Sequence, residues 1–176
     1  MKRILPFVFA SLAFLCATGL HAQDDKSKRP SPPAVATQKI GNTTISIAYS
    51  QPSVKGREIG TKLEPKEGKV WRTGANEATV FECDGDIQVE GKPLAKGKYA
   101  LFTIKNGEDW TIIFNTNAAQ WGAFGYKEAE DALRVQVKGS SVSDFAEQMT
   151  FTIDPDGKIT LRWGALSVAF QVKTGG

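Results

Sequence analysis

The chain has 176 residues, a net charge of +3 from 22 Lys and Arg against 19 Asp and Glu, one histidine and two cysteines. So slight a positive balance gives no basic face to replace phosphate counterions, so nucleic acid is not an expected partner. The histidine, His21, and one cysteine, Cys16, both lie close to the N-terminus.

Met1-Lys2-Arg3 is followed by an apolar run from Ile4 to Leu20 and then by Leu20-His21-Ala22. A positive start, a short apolar core and a small residue at the cleavage point are the parts of a secretory signal peptide. A bilayer span takes about 20 apolar residues, so no transmembrane helix is expected once the signal is cut after Ala22. Leu15 before Cys16 does not suit lipidation at that thiol. The 154 residues that remain have 20 basic and 19 acidic side chains, no histidine, and Cys83 alone, so no internal disulfide can form. The expected location is the periplasm or the exterior.

Residues 23–33, QDDKSKRPSPP, are charged and then proline-rich, and read as a flexible spacer before one domain over 34–174. From Ala34 the apolar residues alternate. Ile45, Ile47 and Tyr49 share one strand face, and Tyr99–Ile104 is apolar on both faces and therefore central. The same rule gives Trp110, Ile112, Phe114; Leu133, Val135, Val137; Met149, Phe151, Ile153; Ile159, Leu161, Trp163; and Val168, Phe170, Val172. Asp84-Gly85, Glu90-Gly91, Asn106-Gly107 and Asp156-Gly157 supply turns between the runs. The expectation is an all-β, antiparallel β-sandwich, jelly-roll-like or Ig-like, with roughly nine strands and at most one short helix near Ala129.

Two stretches break the alternation, 51–78 and 116–132, and both hold tryptophan and glycine. Irregular segments longer than about 12–15 residues are uncommon in compact domains and are often functional. The strings KVWRTGANEATVF, GKYALFTI, WTIIFN and QWGAFGY, with SPPA and YSQPSVKGREI, resemble the bacterial exported family catalogued as domain of unknown function 2911. The resemblance runs from about Ser31 to Val172 and implies a signal-bearing, β-rich protein with no catalytic residues to carry over. Some relatives carry an asparagine-synthetase label, but no glutaminase nucleophile stands at the mature N-terminus here and no nucleotide-binding loop is present.

Without histidine, Ser-His and Cys-His nucleophiles are impossible, and zinc, haem and iron–sulfur sites lack their ligands, so neither a metal nor a cofactor is expected. Asp84-Gly85-Asp86 and Asp154–Gly157 are better explained as turns than as calcium ligands. The leading expectation is a non-enzymatic ligand-binding or envelope-associated module, with an unknown small molecule, glycan or envelope component as partner. Its site residues would be Trp71, Arg72, Asn76, Glu77, Trp121 and Tyr126, combining stacking faces, a planar guanidinium fork and polar groups. The plainer alternative makes the tryptophans core plugs and Arg72–Glu77 a structural pair. Two other functions remain open: a carboxylate-dependent glycan hydrolase using Glu77 and Asp131, and a structural partner that adds a strand at a sheet edge.

Overall fold

A computed structural model describes residues 25–175. The expected signal peptide, with Cys16, His21 and the cleavage point, lies outside the described residues, as do Gln23 and Asp24. Ten strands follow one another: β1 (Pro33–Ile40), β2 (Thr43–Ser50), β3 (Val70–Trp71), β4 (Thr79–Cys83), β5 (Ile87–Val89), β6 (Lys92–Leu94), β7 (Gly97–Asn106), β8 (Asp109–Asn115), β9 (Asp131–Ile153) and β10 (Lys158–Thr174). Helical structure among the described residues is confined to two 3-10 turns, Lys26–Lys28 and Glu128–Glu130. The second stands where a short helix was expected.

All pairings between strands are antiparallel, in the order β1-β2-β4-β7-β8-β9-β10-β5-β6, with β3 added beside β7. The sheet is not a closed barrel; it folds over on itself. The first part of β9 pairs with β8 through Lys138. From Gly139 onward β9 pairs with β10 instead, and the end of β10 continues alone to β5. The two strands thus serve both layers, and the architecture is the expected antiparallel sandwich.

The alternating residues fill the space between the layers. Ile45, Ile47, Phe81, Phe114, Met149, Ile159 and Val172 are fully buried in one cluster. Phe114 meets Phe81 edge-on at 5.0 Å, Tyr99 at 6.3 Å and, across the sandwich, Phe170 at 6.1 Å. Such edge-to-face pairs add about 0.5–1.5 kcal/mol each beyond the area they bury. The Tyr49 hydroxyl accepts a hydrogen bond from the Phe151 amide at 3.1 Å, a polar tie between layers.

Strand boundaries differ from the sequence reading in one respect. The runs at 133–137 and 149–153 belong to one strand, as do those at 159–163 and 168–172. The intervening residues stay paired through register shifts on either side of Gly164. Gly139 marks the transfer of β9 between layers because nothing larger fits: a Cβ there would lie 2.7 Å from Trp110 Cδ1 and closer still to Nε1. Trp110 is itself a core residue and cannot yield cheaply. Gly139→Ala is therefore expected to destabilise the domain by about 1–3 kcal/mol, read as a lower urea midpoint with an unchanged slope.

Candidate functional site

The 51–78 segment divides. Its first part lies against the β9–β10 bulge, where Val54 donates its amide to Glu147 and Met149 donates to Pro52. Its last part meets the 116–130 loop: the Ala78 amide donates to Gln120, Gly122 donates to Asn76, and Glu77 bridges Trp121. The 116–130 loop thus meets the last part of the segment, through 76–78 with 120–122 and through Arg72 at Gly122, and not the part that lies against β9 and β10.

Trp71 is 2% exposed and stacks on Trp163 at 5.8 Å and 17°. Its indole N–H donates to the Gly74 carbonyl. Alternation along β3 turns it into the core, so Trp71 is a plug and presents no stacking face to a ligand. Asn76, at φ 58°, donates its side-chain amide to Ser31 O and Ser50 Oγ, fastening the N-terminal arm to β2. Tyr126 packs edge-on against Phe102 at 5.1 Å on the outer face, and its hydroxyl donates to Asp131 at 2.7 Å. Burial and that carboxylate raise the phenol well above its ordinary range. Asp131 also accepts from Asn115 and pairs with Arg134. Its side chain is buried in this network.

The expected Arg72–Glu77 pair does not form. Glu77 takes Arg29 on both carboxylate oxygens at 3.0 and 3.1 Å, and Lys26 at 2.9 Å. Its carboxyl has burial working against ionisation, but hydrogen bonds from Lys26, its own amide and Arg29 prevail and hold it at about 2. The described part of the segment read as a flexible spacer is thus docked. Arg29 also lies 6.0 Å over the Trp121 ring.

Beside this clamp is an open cleft of about 510 Å³ on the outer face of β1, β2 and β4. Val35, Ala48 and Val80 form its floor, neighbours in register across three strands. Ala118–Trp121 make one wall, and Lys26, Arg29 and Glu77 make the polar end. Trp121 is 57% exposed at the rim, and the other three tryptophans are core. Of the six expected site residues, Glu77 and Trp121 line this cleft. Sequence reasoning missed Arg29, Lys26 and the floor. The floor did leave a signal: Val35, Ala48 and Val80 are apolar at the phase of the alternation that faces out. A second cleft of about 410 Å³ lies between Ile59, Pro65, Leu166 and the Glu67–Lys105 ion pair.

The arrangement is poorly suited to glycosidase chemistry. A proton donor needs a raised carboxyl pKa, and Glu77 is held low between two cations. Among the described residues no group of three or more His, Cys, Asp or Glu side chains is placed to hold a metal ion. No helix among them is long and apolar enough to cross a membrane. The ends of the sheet are β1, with Pro33 and Lys39 among its residues, and the three-residue β6, both features that discourage strand addition.

A family described as a protein of unknown function (DUF2911) matches residues 31–172. The chain belongs to this family. No curated protein and no solved structure matches it. The match begins within the arm and takes in both long loops and every strand but the last two residues of β10.

The clamp sets a pH dependence. The folded pKa of Glu77 lies below its ordinary value of 4.5, so the stabilisation is complete above that value and fades as pH falls toward 2. Glu77→Gln should cost up to about 1 kcal/mol at neutral pH, the range for partly exposed ion pairs, with the difference from the parent protein vanishing near pH 2. Denaturant titrations of both proteins across this range measure it.

Proposed function

We propose that this protein is an exported, non-enzymatic binding module whose cleft takes a small ligand with an apolar body and one polar end. The observation that carries the reading is Trp121, standing exposed over the apolar floor of Val35, Ala48 and Val80. A large aromatic left in water at the mouth of an apolar cleft is more useful occupied than empty. The lining favours such a ligand over a glycan. A sugar carries a hydroxyl on most carbons, and each one buried without a partner costs about 1–3 kcal/mol. The charged groups of the lining are Lys26, Arg29 and Glu77, its other polar side chains are Tyr49, Ser50 and Gln120, and the floor of Val35, Ala48 and Val80 offers none. Export is supported by the basic start, the apolar run Ile4–Leu20 and Ala22 in the sequence. An envelope location suits a module that meets its ligand outside the cytoplasm.

Trp121 provides the assay, because it is the one exposed tryptophan of the four. Decanoate is expected to quench and blue-shift the emission saturably, and chitin oligosaccharides to leave it unchanged. Val80→Glu, which places a charge in the floor, should weaken decanoate binding at least about tenfold, equivalent to roughly 1.4 kcal/mol. An unchanged spectrum with both probes would remove the cleft reading. The exported protein should begin at Gln23 on N-terminal sequencing; retention of the apolar run would overturn the export assignment as stated.

A further inference from the structure

Arginines in this domain are provided with acceptors. Arg29 holds Glu77, Arg57 donates to the Ser53 and Val54 carbonyls, Arg134 reaches Glu128 and Asp131, and Arg162 reaches Asp144. Arg72 is the exception. Its backbone carbonyl accepts from Thr79, but its guanidinium makes no hydrogen bond and no ion pair among the described residues. Its Nε, like those of Arg134 and Arg162, is shut off from water without a hydrogen-bond partner, but Arg72 alone of the three has no carboxylate on its guanidinium among the described residues. Burial lowers its pKa, and the charge of Glu64 only partly opposes this. Glu64 is itself engaged, accepting the Lys66 amide at 2.9 Å. A half-buried cation without a counter-ion is an expensive thing to keep.

The surroundings leave room for one. Arg72 follows the core residue Trp71 at the end of β3, so alternation turns its side chain to the outer face of the sheet. There it meets the 116–130 loop at Gly122. The point where a Gly122 Cβ would stand is 3.6 Å from Arg72 Nη1 and 3.0 Å from the Phe124 ring. Gly122 has φ +66°, which disfavours any side chain at that point. Phe124 is 89% exposed and takes no part in the core. The guanidinium, the bare glycine and the uncommitted ring therefore share one small site. It lies on the same loop as Trp121, but Arg72 and Phe124 do not line the cleft.

We propose that Arg72 is an oxyanion-binding residue, taking a carboxylate or phosphoryl group on its guanidinium edge beside Gly122 and Phe124. No hydrogen bond fixes the guanidinium, so a small rotation of its outer bonds presents Nε and an Nη together. Two parallel N–H···O bonds to one oxyanion satisfy the orphaned Nε and supply the missing charge. Phe124 is placed to cover the bound group and exclude water. The site goes beyond the cleft and stands or falls without it.

The test is an NMR titration of the native protein with inorganic phosphate and, separately, acetate, each at constant ionic strength. The Arg72 Nε–Hε resonance should shift saturably with at least one of them, and which one answers separates phosphoryl from carboxylate recognition. Thermal midpoints recorded in parallel should rise by several degrees near saturation, because the anion binds the folded state. Arg72→Gln should abolish the rise. Arg72→Lys keeps the charge but loses the fork, and should bind about tenfold more weakly. A resonance that does not move with either anion overturns the proposal, even if a variant fails to fold. Equal midpoint shifts in the parent protein and Arg72→Gln, which mean a general salt effect, overturn it as well.

Discussion

Phe114 is where the two layers become one structure. It touches aromatic rings from β4 and β7 on its own side and Phe170 of β10 opposite. The described residues contain a single cysteine, so no cross-link substitutes for this packing. The domain depends on β9 and β10 carrying the sheet around its fold, so that Phe170 arrives over Phe114. The proposed cleft and the proposed Arg72 site, by contrast, sit on the outer faces. The interior is left to apolar rings and a few paired hydroxyls, such as Thr73 on Thr103.

The outer face of β1, β2, β4, β7 and β8 is covered unevenly. Between β1 and β4 it is a shallow floor of small residues. Between β7 and β8 it is covered: Ala78, Ala100, Phe102 and Ile113 form a second small core with Ala123 and Tyr126. The 116–130 loop is the roof of that second core, fixed at one end by the Asn115, Asp131 and Tyr126 bonds. Its other flank, Ala118–Trp121, becomes the wall of the cleft, and Gly122 with Phe124 faces Arg72. One loop anchored by a buried polar network thus presents two different chemistries.

Much of the fold was legible because a half-buried strand writes its two faces into the sequence with period two. Ile45 to Tyr49 and Trp110 to Phe114 read directly. The continuity of β9 and β10 did not, because Gly139 and Gly164 resemble breaks, yet here they are absorbed as a change of partner and a bulge. The site was less legible for two reasons. Trp71 sits in a segment without periodicity, so its stacking on Trp163 depends on a strand too short to announce itself. Glu77 finds its partner 48 residues away in Arg29, in a stretch whose composition suggested solvent. Composition reports what a segment can do alone, and the arm is ordered only by what it meets.

Cys83 closes β4. Its thiol is buried in the main core, lies 3.6 Å from the Ala95 carbonyl, and is pushed toward the neutral form by burial, which a hydrogen bond with the Gly97 backbone only partly opposes. A sulfur so enclosed cannot reach an oxidant or a second molecule while β4 keeps its place between β2 and β7. Covalently linked pairs in an oxidising compartment would therefore record molecules that had already lost that strand, and their abundance would serve as a tally of past unravelling, distinct from any association of intact copies.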